Sequence, residues 1–114
     1  MLKLTIVIPC YNEEAVLPDT LPKMETLVTR LRREADTDAR LLLVDDGSRD
    51  RTWQLIAAEA RRNPAVHGIR LSHNEGHQNA LWAGLQESVN DSDAIVAIDA
   101  DLQDDETFVA VSRY

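Results

Sequence analysis

The chain has 114 residues, enough for a single domain with a core of its own. Its 12 Lys and Arg residues are outnumbered by 20 Asp and Glu residues, which gives a formal net charge of −8. This charge excludes binding to nucleic acid or to an anionic bilayer through bulk electrostatics. An anionic ligand must therefore be held by local groups, such as a cation, helix N-termini or a few basic side chains.

Cysteine usage and hydropathy narrow the class of protein further. Cys10 is the single cysteine, which excludes an internal disulfide and is compatible with a reducing compartment. Because it ends an apolar run, we expect it to be a buried, unreactive thiol. No signal-peptide pattern precedes that run, and no segment approaches the roughly 20 apolar residues that span a bilayer. The sequence therefore predicts a soluble domain in the cytoplasm.

The first half of the chain alternates apolar runs with a helical pattern. Residues 4–9 predict a first strand. A helix is predicted over residues 13–33, with Asn12 as its cap, because apolar residues from Leu17 onward recur at spacings of three and four. The next apolar run, residues 40–44, predicts a second strand.

The second half repeats this alternation. Asp50 is predicted to cap a second helix, which ends before Pro64. The remaining predicted elements are a strand over 66–71, a helix over 76–88, a strand over 94–98 and a helix from Phe108. The order predicts an α/β fold, with a mostly parallel sheet covered by helices on both faces. Because no stop signal follows the last pattern, we expect the chain to be part of a longer protein.

Carboxylates follow two of the predicted strands. Asp45 and Asp46 come directly after the second strand, and Asp99, Asp101 and Gln103 come directly after the fourth. The carboxyl ends of parallel strands open onto the ligand crevice, and hard oxygen ligands suit Mg²⁺ or Mn²⁺. The two groups together predict a site for a cation and a diphosphate. Either group alone would also fit a turn or a solvated helix start.

Four blocks of the chain, taken in order, resemble the family 2 inverting glycosyltransferases. They are TIVIPCYNEE at 5–14, VDDGS with Asp50 and Thr52 at 44–52, NEGHQNAL at 74–81 and DADLQD at 99–104. The last block is most similar to the polyprenyl-phosphate branch, which includes dolichol-phosphate mannose synthases and bactoprenol glucosyltransferases. The resemblance implies the nucleotide-binding half of a GT-A, Rossmann-like fold over residues 1–114.

The resemblance implies a donor pocket built from the first two blocks. Pro9, Tyr11 and Glu13 would line the pocket for the base and ribose of a UDP- or GDP-sugar. Asp45 and Asp46 would recognise the nucleoside. Since neighbouring residues of an extended segment point to opposite sides, we expect these two carboxylates to have different roles.

The resemblance also implies a metal-assisted transfer. Asp101 and Gln103 would ligate Mg²⁺ or Mn²⁺, and Asp99 would support the ribose, the metal or the sugar, so Asp99 and Asp101 are the catalytic candidates. His77 would contact phosphate, although many relatives have Lys at this position. The metal would act as a Lewis acid on the departing diphosphate. A polyprenyl phosphate acceptor, already ionised, would need no strong general base.

Beyond the donor and the acceptor, the resemblance implies few partners. The longer protein would work at the cytoplasmic face of a membrane, and a homo-oligomer is compatible with the sequence. Three other interpretations stay open at this point. A receiver domain or an Asp-x-Asp phosphatase would also bind Mg²⁺, but would carry its acidic motif after the first strand. A non-catalytic nucleotide-binding fragment would have the same sequence features.

Overall fold

The computed structural model describes residues 1–100 and the strand formed by residues 108–112. The described elements, in chain order, are β1 (Leu2–Cys10), α1 (Leu17–Glu34), β2 (Thr37–Asp45), α2 (Thr52–Arg62), β3 (Val66–Arg70), α3 (His77–Ser88), β4 (Ala94–Ile98) and β5 (Phe108–Ser112). Among the described residues, no helix has the length and apolar character needed to cross a membrane.

The strands form one mixed sheet in the order β3-β2-β1-β4-β5. The first four are parallel to one another, and β5 pairs antiparallel with β4. The pairing register sets Cys10 opposite Asp45 and Asp45 opposite Arg70, so β1, β2 and β3 end at the same edge. The predicted α/β fold with a mostly parallel sheet is confirmed.

Helices cover both faces of the sheet, as predicted. On one face, α1 buries Leu17, Leu21, Met24 and Val28 against the core that also contains Ile56 of α2. On the other face, α3 packs against a smaller apolar cluster formed by Val7, Leu42, Val44, Ala80 and Ile95. The carboxyl halves of β1 and β2 are buried on both faces, and their sequences over 6–10 and 41–44 are continuously apolar.

The predicted fourth helix is wrong, because residues 108–112 form β5. Val109 and Val111 are β-branched and Phe108 is aromatic, residue types that favour strands. A run this short does not distinguish a helix from a strand by periodicity. Residues 108–112 pair antiparallel with β4, whose edge would otherwise have unpaired backbone groups. Five residue pairs join the two strands, so the segment is a strand.

The predicted cap of α1 is also wrong. The helix begins at Leu17, its N-cap is Val16, and Pro18 occupies the first turn. Asn12 lies four residues before Val16, and its backbone is in the left-handed region, with φ 53°. Its side-chain Oδ1 accepts the backbone N–H of Arg49 at 2.9 Å. Asn12 therefore joins two loops instead of starting a helix.

Close contact between α3 and the sheet depends on Gly84. A Cβ at this position would lie 2.5 Å from Val7 Cγ1 and 3.1 Å from Val44 Cγ2. The absence of a side chain thus lets the helix approach the two central strands. This position sets how closely α3 packs on β1 and β2.

We predict that Gly84→Ala lowers the free energy of unfolding by about 1–3 kcal/mol, because overpacking outweighs the gain of roughly 1 kcal/mol in helix propensity. Urea denaturation measures this change. Gln86→Ala, at an exposed position of the same helix, is the control and should change stability by less than about 0.5 kcal/mol. A Gly84→Ala variant as stable as the original chain would contradict the close approach.

Candidate functional site

A cleft of about 450 Å³ opens at the carboxyl ends of the parallel strands. It lies at the end of β1, the strand from which the sheet extends to β2 on one side and to β4 on the other, and such a switch in strand order is the usual position of a ligand crevice. The residues that line it are Pro9, Cys10, Tyr11, Glu13, Asp46, Asn74, Gly76, His77, Ala80, Asp99 and Ala100. The segments that follow β1, β2, β3 and β4 therefore meet here with the first turn of α3.

The structure brings together most of the predicted site residues. Those that line the cleft are Pro9, Tyr11, Glu13, Asp46, His77 and Asp99. Asp45 does not line it. Asp101 and Gln103, the predicted metal ligands, lie outside the described residues. Within the described residues, no three His, Cys, Asp or Glu side chains are grouped closely enough to hold a metal ion.

Asp46 anchors the loop that leads into α3. Its Oδ1 accepts the backbone N–H of Glu75 at 2.7 Å, and its Oδ2 accepts that of Gly76 at 3.1 Å. The side chain is buried. Gly76 has φ 96 and directly precedes α3. The carboxylate thus fixes the start of α3 relative to the end of β2.

Asp45 points away from the cleft, as the alternation along a strand requires. It is fully buried. Its Oδ1 accepts the backbone N–H of Ser48 at 3.1 Å, while Oδ2 lies 3.8 Å from Arg70 Nε and has no hydrogen-bond partner among the described residues. The Arg70 guanidinium stands over the Trp53 ring, 5.8 Å from its centroid. Asp45 and Asp46 therefore make different contacts, while their predicted roles in binding remain a prediction.

Gly47 brings the turn after β2 against the loop that precedes α3. It has φ +68, and a Cβ would lie 2.3 Å from the backbone carbonyl carbon of His73. Only glycine satisfies both requirements without strain. The glycine thus allows a close approach to the backbone of His73 and Asn74.

Cys10 is an unreactive part of the cleft wall. The side chain is buried, and its thiol donates to the carbonyl oxygen of Ile8 at 3.4 Å. Burial raises the pKa of the Cys10 thiol far above its usual value, and the negative charges of Glu13 and Asp45 raise it further. The thiol is therefore protonated at neutral pH, which confirms the prediction of an inert cysteine.

The first turn of α3 supplies positive character on one side of the cleft. His77 is the first residue of the helix, and the first turn contains no acidic residue. The unpaired N–H groups of a helix N-terminus favour anions. Sequence reasoning singled out His77 here but missed Asn74 and Gly76, which also line the cleft. The Asn-x-Gly spacing before an apolar helix was the signal available for them.

Comparison with known proteins identifies the family. Residues 5–111 match the model of the family described as glycosyl transferase family 2. The chain belongs to glycosyltransferase family 2. The resemblance inferred from the four sequence blocks is thus confirmed, and the interpretations as a receiver domain or a phosphatase are wrong.

Curated relatives narrow the family membership. The chain is 52% identical over 104 residues to the uncharacterized glycosyltransferase YkoT of Bacillus subtilis, covering 90% of this chain and 31% of YkoT. It is 42% identical over 100 residues to an undecaprenyl-phosphate 4-deoxy-4-formamido-L-arabinose transferase of Pseudomonas aeruginosa, covering 87% of this chain and 28% of that protein. The chain therefore lies near the polyprenyl-phosphate branch, and it spans about a third or less of these relatives.

A solved structure supports the fold. The mannosyltransferase PcManGT from Pyrobaculum calidifontis, determined in complex with GDP-Man and Mn²⁺, aligns with a TM-score of 0.67 over 86% of this chain and 27% of its own. The identity is 22%, so the likeness concerns the fold alone. The predicted GT-A fold is confirmed.

We predict that Asp46→Asn lowers the free energy of unfolding by about 1–3 kcal/mol. An amide offers one oxygen acceptor, so its NH₂ group would face the N–H of either Glu75 or Gly76. Thermal or urea denaturation measures the effect. Asp19→Asn, an exposed position in the first turn of α1, is the matched control, with an expected change below about 0.5 kcal/mol. Equal stability of both variants would contradict the anchoring role of Asp46.

Proposed function

We propose that the chain is the nucleotide-sugar-binding part of an inverting glycosyltransferase. The reaction would move a hexose from a UDP- or GDP-sugar to a polyprenyl phosphate with the help of Mg²⁺ or Mn²⁺. The observation that carries the proposal is the cleft at the carboxyl edge of the sheet, where four loops and a helix N-terminus meet in a member of glycosyltransferase family 2.

The first loop provides the groups that suit a nucleoside. Tyr11 is 41% exposed at the cleft, so its ring offers an apolar surface for a base. The Glu13 carboxylate is suited to accept ribose hydroxyls, as acidic residues do in other nucleotide sites. Pro9 stiffens the backbone where β1 enters this loop.

Asp45 and Asp46 complete the nucleoside site in two ways. Asp46 shapes the wall of the cleft through its bonds to the loop before α3. Asp45 lies behind that wall, and its buried Oδ2 has no hydrogen bond within the described part of the chain. Because Asp45 is fully buried and does not line the cleft, it would act on the nucleoside site through the turn after β2, where its Oδ1 accepts the backbone N–H of Ser48. Arg70, 3.8 Å from Asp45 Oδ2, balances the charge of the carboxylate.

The charge of the cleft favours a cation together with the diphosphate. Glu13, Asp46 and Asp99 all line the cleft, and a diphosphate there would be repelled by them. The N–H groups at the α3 N-terminus offset only some of this repulsion. The sequence after β4 provides oxygen ligands of the kind that suit Mg²⁺ or Mn²⁺, from Asp99, Asp101 and Gln103. When bound, the cation would supply Lewis-acid stabilisation of the leaving diphosphate.

The choice of acceptor rests on the relatives. The Pseudomonas aeruginosa protein is an undecaprenyl-phosphate transferase by name, and this chain is 42% identical to part of it. A phosphate monoester is ionised at neutral pH, so the cleft needs no strong general base to activate it. We further propose that the whole protein acts at the cytoplasmic face of a membrane, where such an acceptor is embedded, either as a monomer or as a homo-oligomer.

Calorimetric titration of the chain with UDP, GDP and their sugars, in Mn²⁺ and in EDTA, tests the donor and the metal. We expect one nucleotide to bind in Mn²⁺ and to lose at least about tenfold in affinity in EDTA, which corresponds to roughly 1.4 kcal/mol. Asp99→Asn and Asp101→Ala should each weaken the Mn²⁺-dependent binding to a similar degree.

Asp91→Asn is the control for this titration, because Asp91 pairs with Arg40 at the opposite end of the sheet. Its nucleotide affinity should equal that of the unchanged chain. The proposal would be rejected by binding that is indifferent to EDTA and to both variants, or by a failure to bind either nucleotide.

A further inference from the structure

The loop between β1 and α1 depends on acceptors from the loop between β2 and α2. The backbone N–H of Asn12 donates to Ser48 Oγ at 2.8 Å, that of Glu13 to Thr52 Oγ1 at 2.7 Å, and that of Glu14 to Asp50 Oδ2 at 3.2 Å. Three consecutive N–H groups of one loop are thus bound by three side chains of the other. These acceptors alternate with Arg49 and Arg51 along the sequence.

The bound loop has an unusual backbone that needs external support. Asn12 adopts φ 53, a conformation that non-glycine residues rarely take. Its side chain returns one hydrogen bond to the second loop, by accepting the backbone N–H of Arg49 at 2.9 Å. A backbone in a sparsely populated region persists when its surroundings determine it strongly, and such positions cluster at ligand sites.

Thr52 is the centre of the arrangement. It is fully buried at the start of α2. Its hydroxyl donates to Asp50 Oδ1 at 2.5 Å, which leaves the oxygen lone pairs to accept the Glu13 N–H. The same Asp50 oxygen also accepts the Thr52 backbone N–H at 2.9 Å. Because the ionised Asp50 carboxylate can only accept, the Thr52 hydroxyl must donate to it and accept from the Glu13 N–H.

Asp50 is kept ionised by these contacts. Burial alone would raise its pKa, but the hydrogen bonds donated by Thr52 and by the Glu14 backbone lower the pKa below its ordinary value. The carboxylate therefore remains an acceptor at neutral pH. Sequence analysis predicted only a capping role for Asp50. The N-cap of α2 is Arg51, one residue later.

We propose that Ser48, Asp50 and Thr52 form a loop latch that positions Tyr11 and Glu13 for binding of the donor nucleotide. The proposal rests on the proposed function, since it assigns these three residues to the support of the same cleft. None of the three lines the cleft. They act through the backbone of residues 12–14, so they are positioning residues.

Thr52→Val and Thr52→Ser form a matched pair that tests the loop latch. Valine keeps the size of threonine but removes the hydroxyl, whereas serine keeps it. In the nucleotide-free chain, amide exchange followed by NMR should become on the order of tenfold faster at Glu13 in Thr52→Val, the loss expected for one hydrogen bond. Exchange at Val7, in the middle of β1, follows the global stability, so the increase at Glu13 should exceed any increase at Val7. Thr52→Ser should behave like the original chain at both positions.

Nucleotide affinity supplies the second readout, measured well below the melting temperature of each variant. Thr52→Val should bind the nucleotide about fivefold to tenfold more weakly, and Thr52→Ser within about twofold of the original chain. If Thr52→Val does not fold, Ser48→Ala takes its place, with the expected faster exchange at Asn12. A purely structural role would lower the melting temperature without changing the affinity of the folded variant.

The outcomes separate the loop latch from the proposed function. Unchanged exchange at Glu13 in Thr52→Val would overturn the latch, whatever the nucleotide affinity. Faster exchange with unchanged affinity would overturn its positioning role while leaving the donor site intact. If the original chain binds no nucleotide, the proposed function fails and the positioning role fails with it; the exchange data then still decide whether the three hydrogen bonds hold the loop.

Discussion

Backbone N–H groups in the loops at the carboxyl edge of the sheet have no hydrogen-bond partner in a neighbouring strand, so side chains must accept from them. This constraint shapes the site. The segment after β2 supplies the acceptors. On one side, Asp46 accepts the backbone N–H groups of Glu75 and Gly76. On the other side, the backbone N–H groups of residues 12–14 donate to the side chains of Ser48, Asp50 and Thr52. One short, polar segment thus holds both neighbouring loops. The cleft is the space that these fixed loops enclose.

This use of acidic side chains has an electrostatic consequence. Asp45 and Asp46 are buried and bonded to the protein itself, and Asp46 lines the cleft together with Glu13 and Asp99. A nucleoside diphosphate entering such a site meets these carboxylates as well as the N-terminus of α3. In the proposed function, a divalent cation would offset the repulsion between these carboxylates and the diphosphate. Asp46 thus holds the loop before α3 and also adds negative charge to the cleft, and this charge is the reason that the proposed function includes a metal.

Much of the fold could be predicted from the sequence, because strands and helices of this size carry clear periodicity. The buried face of α1 and the four parallel strands follow from apolar spacing alone. The errors lie where tertiary contacts decide. Residues 108–112 form a strand by pairing with the edge of β4. Asn12 does not cap α1, and its side chain instead accepts the backbone N–H of Arg49. The opposite directions of Asp45 and Asp46 were predictable from strand alternation, but the partners of each were not.

The most direct test of the central claim is paramagnetic relaxation by Mn²⁺ in NMR spectra of the nucleotide-bound chain, with Mg²⁺ as the diamagnetic reference. If separate loops converge on one nucleotide and its cation, the amide signals of Tyr11, Gly76 and Asp99 should broaden together. Those of Lys3 and Asp91, which lie at the opposite edge, should remain sharp. Broadening confined to one loop, or centred on Lys3 and Asp91, would contradict the account.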